Sequence, residues 1–281
     1  MFWQTSRFRI DLESPRVMGI VNVTPDSFSD GGHHATVREA LSHCEQLIQQ
    51  GAHILDIGGE STRPGSPAVS LADELARVLP LVREAVKLGV PISVDTYKPQ
   101  VMQAVLDLGA DIINDIWALR QPGATDTVAA HPQCGVCLMH MHRDPQTMQA
   151  VPMQGDVLPQ VLSFLEHSTQ SLIALGVEKP RIALDPGIGF GKSVEQNFAL
   201  LARQSELLGG GYPWLVGWSR KSSLGAVTGL PVDQRMVPSV AAALLAVERG
   251  AQIVRVHDVR ETVAALAVRQ ALYASHAPAI P

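Results

Sequence analysis

Two groups of polar side chains stand at the ends of short apolar segments in this sequence. The first group consists of hydrogen-bond acceptors, Asp95, Asn114 and Asp185. Such groups are costly to bury without donors, and an amino group beside a ring N–H, as in guanine or a pterin, supplies a donor pair. The second group is nitrogenous and comprises Arg63, Lys221, Arg255 and His257. These groups bind phosphate oxygens, so the pattern predicts a heterocyclic ligand that carries phosphate.

The apolar segments must place these side chains at one mouth. Eight of them, rich in Val, Ile and Leu, alternate with helical segments, at residues 17–23, 53–58, 91–96, 111–116, 136–140, 182–187, 214–219 and 253–258. Near-continuous apolar strands separated by helices indicate a parallel sheet that is covered on both faces. The sequence therefore predicts a single-domain (β/α)8 TIM barrel over residues 1–281, with a short N-terminal extension. Its strands would end at one catalytic face.

Composition and charge exclude several classes of protein. The net charge of −5 argues against a general nucleic-acid or anionic-membrane binder, because both depend on a basic surface. The N-terminal residues lack the apolar core of a signal peptide, and the longest apolar run, residues 240–247, is too short to span a bilayer. Three cysteines cannot form a disulfide framework. We therefore expect a cytoplasmic protein, and the hydrophobic content of 46% is consistent with a homo-oligomer.

Three local patterns resemble other kinds of site. GIGFGKS, residues 187–193, is similar to a nucleotide-binding loop, but its outer glycines enclose three residues where that loop requires four. Cys134 and Cys137 form a lone C-x-x-C with no second pair, which argues against zinc or redox chemistry. His140 and His142 lack an evident third histidine for a metal site, so packing or a shelf for the ligand is the preferred interpretation.

The strand-end segments, taken whole and in order, resemble the dihydropteroate synthase family. The matching segments are MGIVNVTPDSFSDGG (18–32), DIGGESTRPG (56–65), VDTYKP (94–99), INDI (113–116), LMHMHRDPQTMQ (138–149), LDPGIGFGKS (184–193), VGWSRKS (216–222) and IVRVHDVRET (253–262). They span nearly the whole chain. The sequence departs from the family pattern at residues 142–143 and 117–119, where His-Arg and Trp-Ala-Leu replace the usual residues, but neither departure removes a residue with an implied role.

The resemblance implies a role for each strand-end residue. Those implied to hold the pterin are Asp95, Asn114, Asp185 and Lys221, with Met139 packing on the ring. Asn22 is implied to bind Mg²⁺ and pyrophosphate. Those implied to bind phosphate oxygens are Arg63, Arg255 and His257. Those implied to enclose p-aminobenzoate are Phe28, Thr62, Pro64, Phe190 and Ser222, while Asp30 closes the first loop.

The implied reaction is a transfer that joins two small molecules. 6-Hydroxymethyl-7,8-dihydropterin pyrophosphate would condense with p-aminobenzoate to give 7,8-dihydropteroate and pyrophosphate, with Mg²⁺ as cofactor. The resemblance also implies a homodimer through the last two barrel helices. Two alternatives stay open: a pterin-binding methyltransferase domain that works with a corrinoid partner, and a catalytically silent paralogue that keeps the pterin pocket.

Overall fold

The computed structural model describes residues 1–23, 32–61, 66–144, 147, 148 and 150–275. Its strands are β1 (Phe2–Gln4), β2 (Arg9–Asp11), β3 (Arg16–Asn22), β4 (Ile54–Gly58), β5 (Ile92–Asp95), β6 (Ile112–Asp115), β7 (Gly135–Met139), β8 (Ile182–Asp185), β9 (Leu215–Val216) and β10 (Ile253–Val256). Strands β3 to β10 are those that the apolar segments predict. The hairpin of β1 and β2 was not predicted, because strands of three residues show too little periodicity.

Strands β3 to β10 form one parallel sheet in the order β8, β7, β6, β5, β4, β3, β10, β9. A parallel bridge between Leu184 and Trp214, which directly precedes β9, brings the two ends of the sheet together. The predicted (β/α)8 barrel is therefore confirmed. Strand β9 is shorter than the predicted segment, because the chain turns after Gly217 and the Lys221 N–H donates to the Trp218 carbonyl.

Helices follow the strands and cover the outside of the barrel. They are α1 (Gly32–Gln49), α2 (Leu71–Ala85), α3 (Pro99–Asp107), α4 (Ala124–Ala130), α5 (Val157–Ala174), α6 (Val194–Ala202), α7 (Ser222–Thr228), α8 (Met236–Glu248) and α9 (Val259–Ala274). Helix α2 illustrates how these helices begin and pack. The Ser70 hydroxyl accepts from the Asp73 N–H at the start of the helix, and Val78, Leu81 and Val82 are buried against the sheet. None of the helices described is long and apolar enough to cross a membrane.

The N-terminal hairpin closes the end of the barrel opposite the predicted site. Trp3 on β1 is completely buried, and its indole N–H donates to the Arg181 carbonyl over 2.9 Å. Trp3 and Ile10 pack in one cluster with residues near the start of the strands, such as Met18 and Ile54. Because one end is filled in this way, the C-terminal ends of the strands are left as the open mouth.

Candidate active site

The strand ends bring together side chains that are far apart in sequence. Asp95 ends β5, Asp185 ends β8, and Asn114 and Arg255 are the third residues of β6 and β10. The register places Gly58, Asp95 and Asn114 in one row across β4, β5 and β6. These side chains reach one place because the carboxyl ends of parallel strands meet at the same rim.

A small cavity of about 40 Å³ opens among these side chains. It is lined by Asp95, Asn114, Ile116, Met139, Asp185, Ile188, Phe190, Gly217 and Arg255. Met139 and Phe190 pack together there in an apolar cluster that also contains Ile116, so apolar flanks stand beside a polar edge. Apolar walls with a few converging polar groups are typical of a site for a flat heterocycle.

Arg255 lies between two carboxylates. Its Nε is 2.5 Å from Oδ2 of Asp56, and its Nη2 is 2.8 Å from Oδ2 of Asp95. The side-chain amide of Asn114 also donates to Oδ2 of Asp56, over 3.1 Å. Asp56 is fully buried, and its Oδ1 has no hydrogen-bond partner among the residues that the structure describes. Hydrogen bonds therefore join Asp95 and Asn114 to Arg255, directly or through Asp56, in one network. The acceptors and the cation do not form two separate groups.

The two carboxyl groups of the cavity wall have raised pKa values. Burial raises the pKa of Asp95 to about 7, although the neighbouring Arg255 opposes the shift. Burial also raises the pKa of Asp185 to about 6, against the hydrogen bond from the Gly187 N–H and the charge of Lys221. That hydrogen bond reaches Oδ1 over 2.7 Å. Raised carboxyl pKa values in a cleft are a recurring sign of a functional site, because a binding cleft removes the water that stabilises the charged carboxylate.

Lys221 and Ser222 stand where α7 begins, after β9. Lys221 immediately precedes α7, and its Nζ lies 4.2 Å from the centroid of the Phe190 ring. Ser222 is the first residue of α7 and is exposed. Lys221 thus contacts the apolar wall of the cavity while its charge acts on Asp185, which agrees with a place beside the ring of a ligand.

His257 and Asn22 complete the described part of the predicted site. His257 follows β10, with its Nδ1 2.9 Å from the Ser219 hydroxyl oxygen, and its backbone N–H donates to that oxygen over 3.1 Å. Asn22 ends β3, opposite Gly58 of β4 in the register, and is half-buried. Ser219 therefore orients His257, and Asn22 stands at the rim.

Five predicted residues, Phe28, Asp30, Thr62, Arg63 and Pro64, lie outside the described residues. Their roles stay predictions. The residues with a predicted role that the structure brings to the cavity wall are Asp95, Asn114, Met139, Asp185, Phe190 and Arg255. Lys221 contacts this set through Phe190, whereas Asn22, Ser222 and His257 stand apart from the cavity lining.

Asp56 was missed by reasoning from the sequence. It lies inside β4 rather than at its end, so the search for polar strand ends passed over it. The available signal was an acidic residue within an otherwise apolar strand, since a buried carboxylate requires a partner. Both of its partners, Arg255 and Asn114, come from other strands, and no local pattern reveals them.

The family departure after β6 is accommodated by a tight turn. Ala118 and Leu119 have positive φ angles of 50° and 60°. Asp115 stabilises this backbone by accepting from the N–H groups of Trp117 and Leu119, each over 2.7 Å. At the second departure, Arg143 also has a positive φ, 62°. The Trp117-Ala118-Leu119 segment thus forms a tight turn directly after β6, and Asn114 lies on the strand at the cavity wall.

A larger groove, of about 630 Å³, lies near the hairpin end of the barrel. It runs between residues 13–17 and α9, with His53 in its wall. The C-terminal ends of the strands do not contribute to this groove, whereas barrel enzymes carry their chemistry at the C-terminal face. The small polar cavity is therefore the better candidate for the active site.

Comparison with known proteins agrees with this geometry. Residues 18–257 match the pterin binding enzyme family. The dihydropteroate synthase of Neisseria meningitidis serogroup B is 50% identical over 276 residues, which cover 96% of this chain and 97% of that protein. The chain belongs to the dihydropteroate synthase family.

Solved structures of the family have the same fold. The Burkholderia cenocepacia enzyme, complexed with 7,8-dihydropteroate, has 51% sequence identity and a TM-score of 0.90, with 98% of this chain and 97% of that chain covered. The Xanthomonas albilineans enzyme with 4-aminobenzoic acid has 49% identity and a TM-score of 0.88, with 97% and 96% covered. Family members therefore bind the dihydropteroate product and 4-aminobenzoic acid.

Proposed function

We propose that this protein is a transferase that condenses 6-hydroxymethyl-7,8-dihydropterin pyrophosphate with p-aminobenzoate, forming 7,8-dihydropteroate and pyrophosphate. The observation that carries the proposal is the cavity in which Asp95, Asn114 and Asp185 converge between apolar walls, in a chain half identical to a dihydropteroate synthase. Carboxylate and amide acceptors at the edge of a flat apolar slot match the ring N–H and amino donors of a pterin.

The pterin ring would enter the cavity and pack on Met139. Asp185 would accept from the amino group and the adjacent ring N–H, because its side chain is buried at the cavity edge. Asn114 and Asp95 would receive the remaining donors. Because Arg255 is held by Asp56 and Asp95 in the same wall, its guanidinium would lie beside the ring as well as toward the diphosphate.

The residues at the rim fit a site for Mg²⁺ and diphosphate. Asn22 offers an amide oxygen, and Mg²⁺ is commonly held by one or two protein oxygens, substrate phosphates and water. Bound Mg²⁺ would supply positive charge that stabilises the leaving diphosphate. The chain's own cations, Lys221 and Arg255, with His257, would bind further oxygens, and Ser219 holds the His257 ring in one orientation.

The reaction needs an activated leaving group more than a base. The amino nitrogen of p-aminobenzoate would form a bond to the methylene carbon while the bond from that carbon to the diphosphate oxygen breaks. The amine then loses one proton to solvent. Arylamines are neutral near pH 7, so their lone pair is available without a catalytic base. The cationic residues act by binding the diphosphate more strongly as its charge grows.

Phe190 and Ser222 would form the described part of the p-aminobenzoate site. Phe190 offers an aromatic face, and the exposed Ser222 hydroxyl at the start of α7 can donate to the carboxylate. Phe28, Thr62 and Pro64 would complete this enclosure.

We further propose a homodimer through α8 and α9 in the cytoplasm. Val237 of α8 and Val268 of α9 are 68% and 73% exposed. Within the alanine-rich segment 240–247, Ala242 and Ala246 are buried, whereas Leu245 is 45% exposed and adds to this surface. The three cysteines are unpaired, as expected in a reducing compartment. Analytical ultracentrifugation should show a dimer for the wild type and a monomer for the Val268→Glu variant. A monomeric wild type would contradict the proposed dimer.

Pyrophosphate release tests the proposed reaction. The purified protein should release pyrophosphate and form dihydropteroate only with both substrates and Mg²⁺ present. Chelation of Mg²⁺ should abolish most of this activity and its addition should restore it. A methyltransferase domain or a silent pterin-binding paralogue would bind the pterin and release no pyrophosphate, so that result would overturn the proposal.

A further inference from the structure

The loop between β8 and α6, residues 186–193, carries one wall of the cavity. Phe190 lies in this loop and lines the cavity. Gly187 and Gly191 on either side of it have φ angles of +67° and +71°, a conformation that glycine adopts without a steric penalty. Glycine leaves such a backbone free to adopt other conformations. Interactions from elsewhere must therefore fix where Phe190 stands.

Lys192 provides these interactions from within the protein. Its side chain is buried, and its Nζ lies 2.8 Å from the Gly187 carbonyl oxygen and 3.3 Å from that of Phe190. The same Nζ lies 2.9 Å from Nδ1 of His140 and 3.4 Å from the His140 carbonyl oxygen. Lys192 therefore joins both ends of the Phe190 turn to the residue that follows β7. Its ammonium group is directed at the protein and not at the cavity.

The contact with His140 requires one protonation state of each partner. Burial and the charge of Lys192 lower the pKa of His140 to about 2, so the imidazole is neutral and its Nδ1 can accept. Burial lowers the pKa of Lys192 to about 7, which the charge of Asp185 opposes. The four acceptors around Nζ favour the ammonium form, which has three N–H donors.

The loop is also pressed directly onto the end of β7. A Cβ atom at Gly187 would stand 1.8 Å from the His140 carbonyl oxygen, and one at Gly191 would stand 2.6 Å from the His142 Cβ. The Met153 N–H donates to the Gly191 carbonyl over 2.9 Å. GIGFGKS and His140 thus belong to one packed unit, in which the lysine binds backbone carbonyls rather than phosphate.

Asn197 holds the same loop from the other side. Its Oδ1 accepts from the Gly189 N–H over 2.8 Å, and its Nδ2 donates to the Ser223 hydroxyl over 3.0 Å. Ser223 follows Ser222 in α7. Because this second attachment does not involve Lys192, we expect the barrel to fold when Lys192 is replaced, with the Phe190 turn displaced rather than the whole loop lost.

We propose that Lys192 is a positioning residue, which with His140 fixes the 186–193 loop so that Phe190 meets the aromatic ring of p-aminobenzoate. This inference rests on the proposed function. Lys192 acts through Phe190 and does not touch the substrate. Its loss should therefore affect the use of p-aminobenzoate more than the use of the pterin, whose polar partners Asp95, Asn114 and Asp185 lie on the strands themselves.

Kinetics of paired variants test this inference. Lys192→Met removes the donors and keeps an apolar stem, and His140→Leu removes the acceptor while His140→Asn keeps one. Lys192→Met and His140→Leu should raise the KM for p-aminobenzoate about tenfold or more, as expected for a lost hydrogen bond to a charged group. The KM for the pterin pyrophosphate, and all constants of His140→Asn and of the exposed control Lys87→Met, should change by no more than about threefold.

Hydrogen exchange separates this inference from the proposed reaction. The amides of residues 187–191 should exchange faster in Lys192→Met than in the wild type, and Lys87→Met should leave them unchanged. If the wild type forms no dihydropteroate, the proposed function fails. Faster exchange in Lys192→Met would still support the role of Lys192 in fixing the 186–193 loop. Equal exchange in Lys192→Met and wild type overturns the inference. Equal effects of His140→Leu and His140→Asn on p-aminobenzoate also overturn it.

Discussion

Nε of Arg255 on β10 lies 2.5 Å from Oδ2 of Asp56 on β4, which is two strands away in the sheet and 199 residues away in sequence. Asp56 does not line the cavity, whereas Arg255 does. A fully buried carboxylate thus holds a cation that lines the cavity. We therefore expect Asp56 to influence a ligand through Arg255 and Asn114.

Asp56→Asn should release Arg255 from one of its two carboxylates. We expect kcat/KM for the pterin pyrophosphate to fall about 10- to 100-fold, the size of a lost hydrogen bond between charged groups. Steady-state kinetics measures this change. Asp107→Asn on the surface of α3 is the matched control and should retain wild-type constants. Unchanged kinetics in Asp56→Asn would show that Asp95 alone suffices to place Arg255.

Asp185→Asn should weaken pterin binding. The substitution replaces a charged acceptor with an amide that must present an N–H to a donor edge, at a cost of about 1–3 kcal/mol. Calorimetric titration with a pterin measures the affinity directly. Asp126→Asn, at an exposed position of α4, serves as the control and should retain the wild-type affinity. A retained affinity would remove Asp185 from the pterin site.

Pterin affinity should depend on pH through Asp95 and Asp185. Burial raises their pKa values to about 7 and about 6, so both are largely protonated at low pH and cannot accept with both oxygens. Affinity should rise as the pH increases from 5.5 to 7.5, by up to about tenfold per pH unit for one carboxyl below its pKa. Calorimetry across this range measures the slope.

The Asp95→Asn variant provides the control for this pH dependence. It lacks one of the two titrating carboxyls, so its affinity should change less steeply between pH 6 and 7.5. The same slope in the variant and the wild type would assign the titration to another group.

Arg255→Lys and Ser222→Ala should separate the two substrates. Arg255→Lys keeps the charge and loses the planar fork that reaches both Asp56 and Asp95, so both kcat and the KM for the pterin pyrophosphate should deteriorate. Ser222→Ala removes one exposed hydroxyl donor and should raise only the KM for p-aminobenzoate, about two- to tenfold. Steady-state kinetics with each substrate varied in turn measures both. A pterin-specific effect of Ser222→Ala would refute the division.

Gly187→Ala should destabilise the protein far more than Gly176→Ala. Both glycines have positive φ angles, +67° and +86°, so alanine costs about 1–2 kcal/mol at either position. Only at Gly187 does the new Cβ meet the His140 carbonyl oxygen, 1.8 Å away, and this overlap adds on the order of 3 kcal/mol. Urea unfolding of the two variants measures the difference. Equal losses would mean that the loop moves aside at little cost.

Residue types and their order were sufficient to predict the barrel. Eight apolar segments become strands β3 to β10, because a strand that is buried on both faces must be apolar along its length. The polar residues at the C-terminal ends of these strands could also be assigned to one face of the barrel from the sequence, before any side-chain contact was known. Asp95, Asn114 and Asp185 meet there because parallel strands end on one side of the sheet.

The sequence by itself determined which chemistry stands at the mouth, since acceptors and cations are properties of residue types and the strand ends are local. The tertiary structure decided the partners. Arg255 pairs with Asp56 and Asp95, and Lys192 binds His140, because the order of the strands in the sheet brings together residues that are 50 to 200 positions apart in sequence. Long-range pairs of this kind leave no periodicity in the chain, and the cost of burying a charge shows only that a partner must exist.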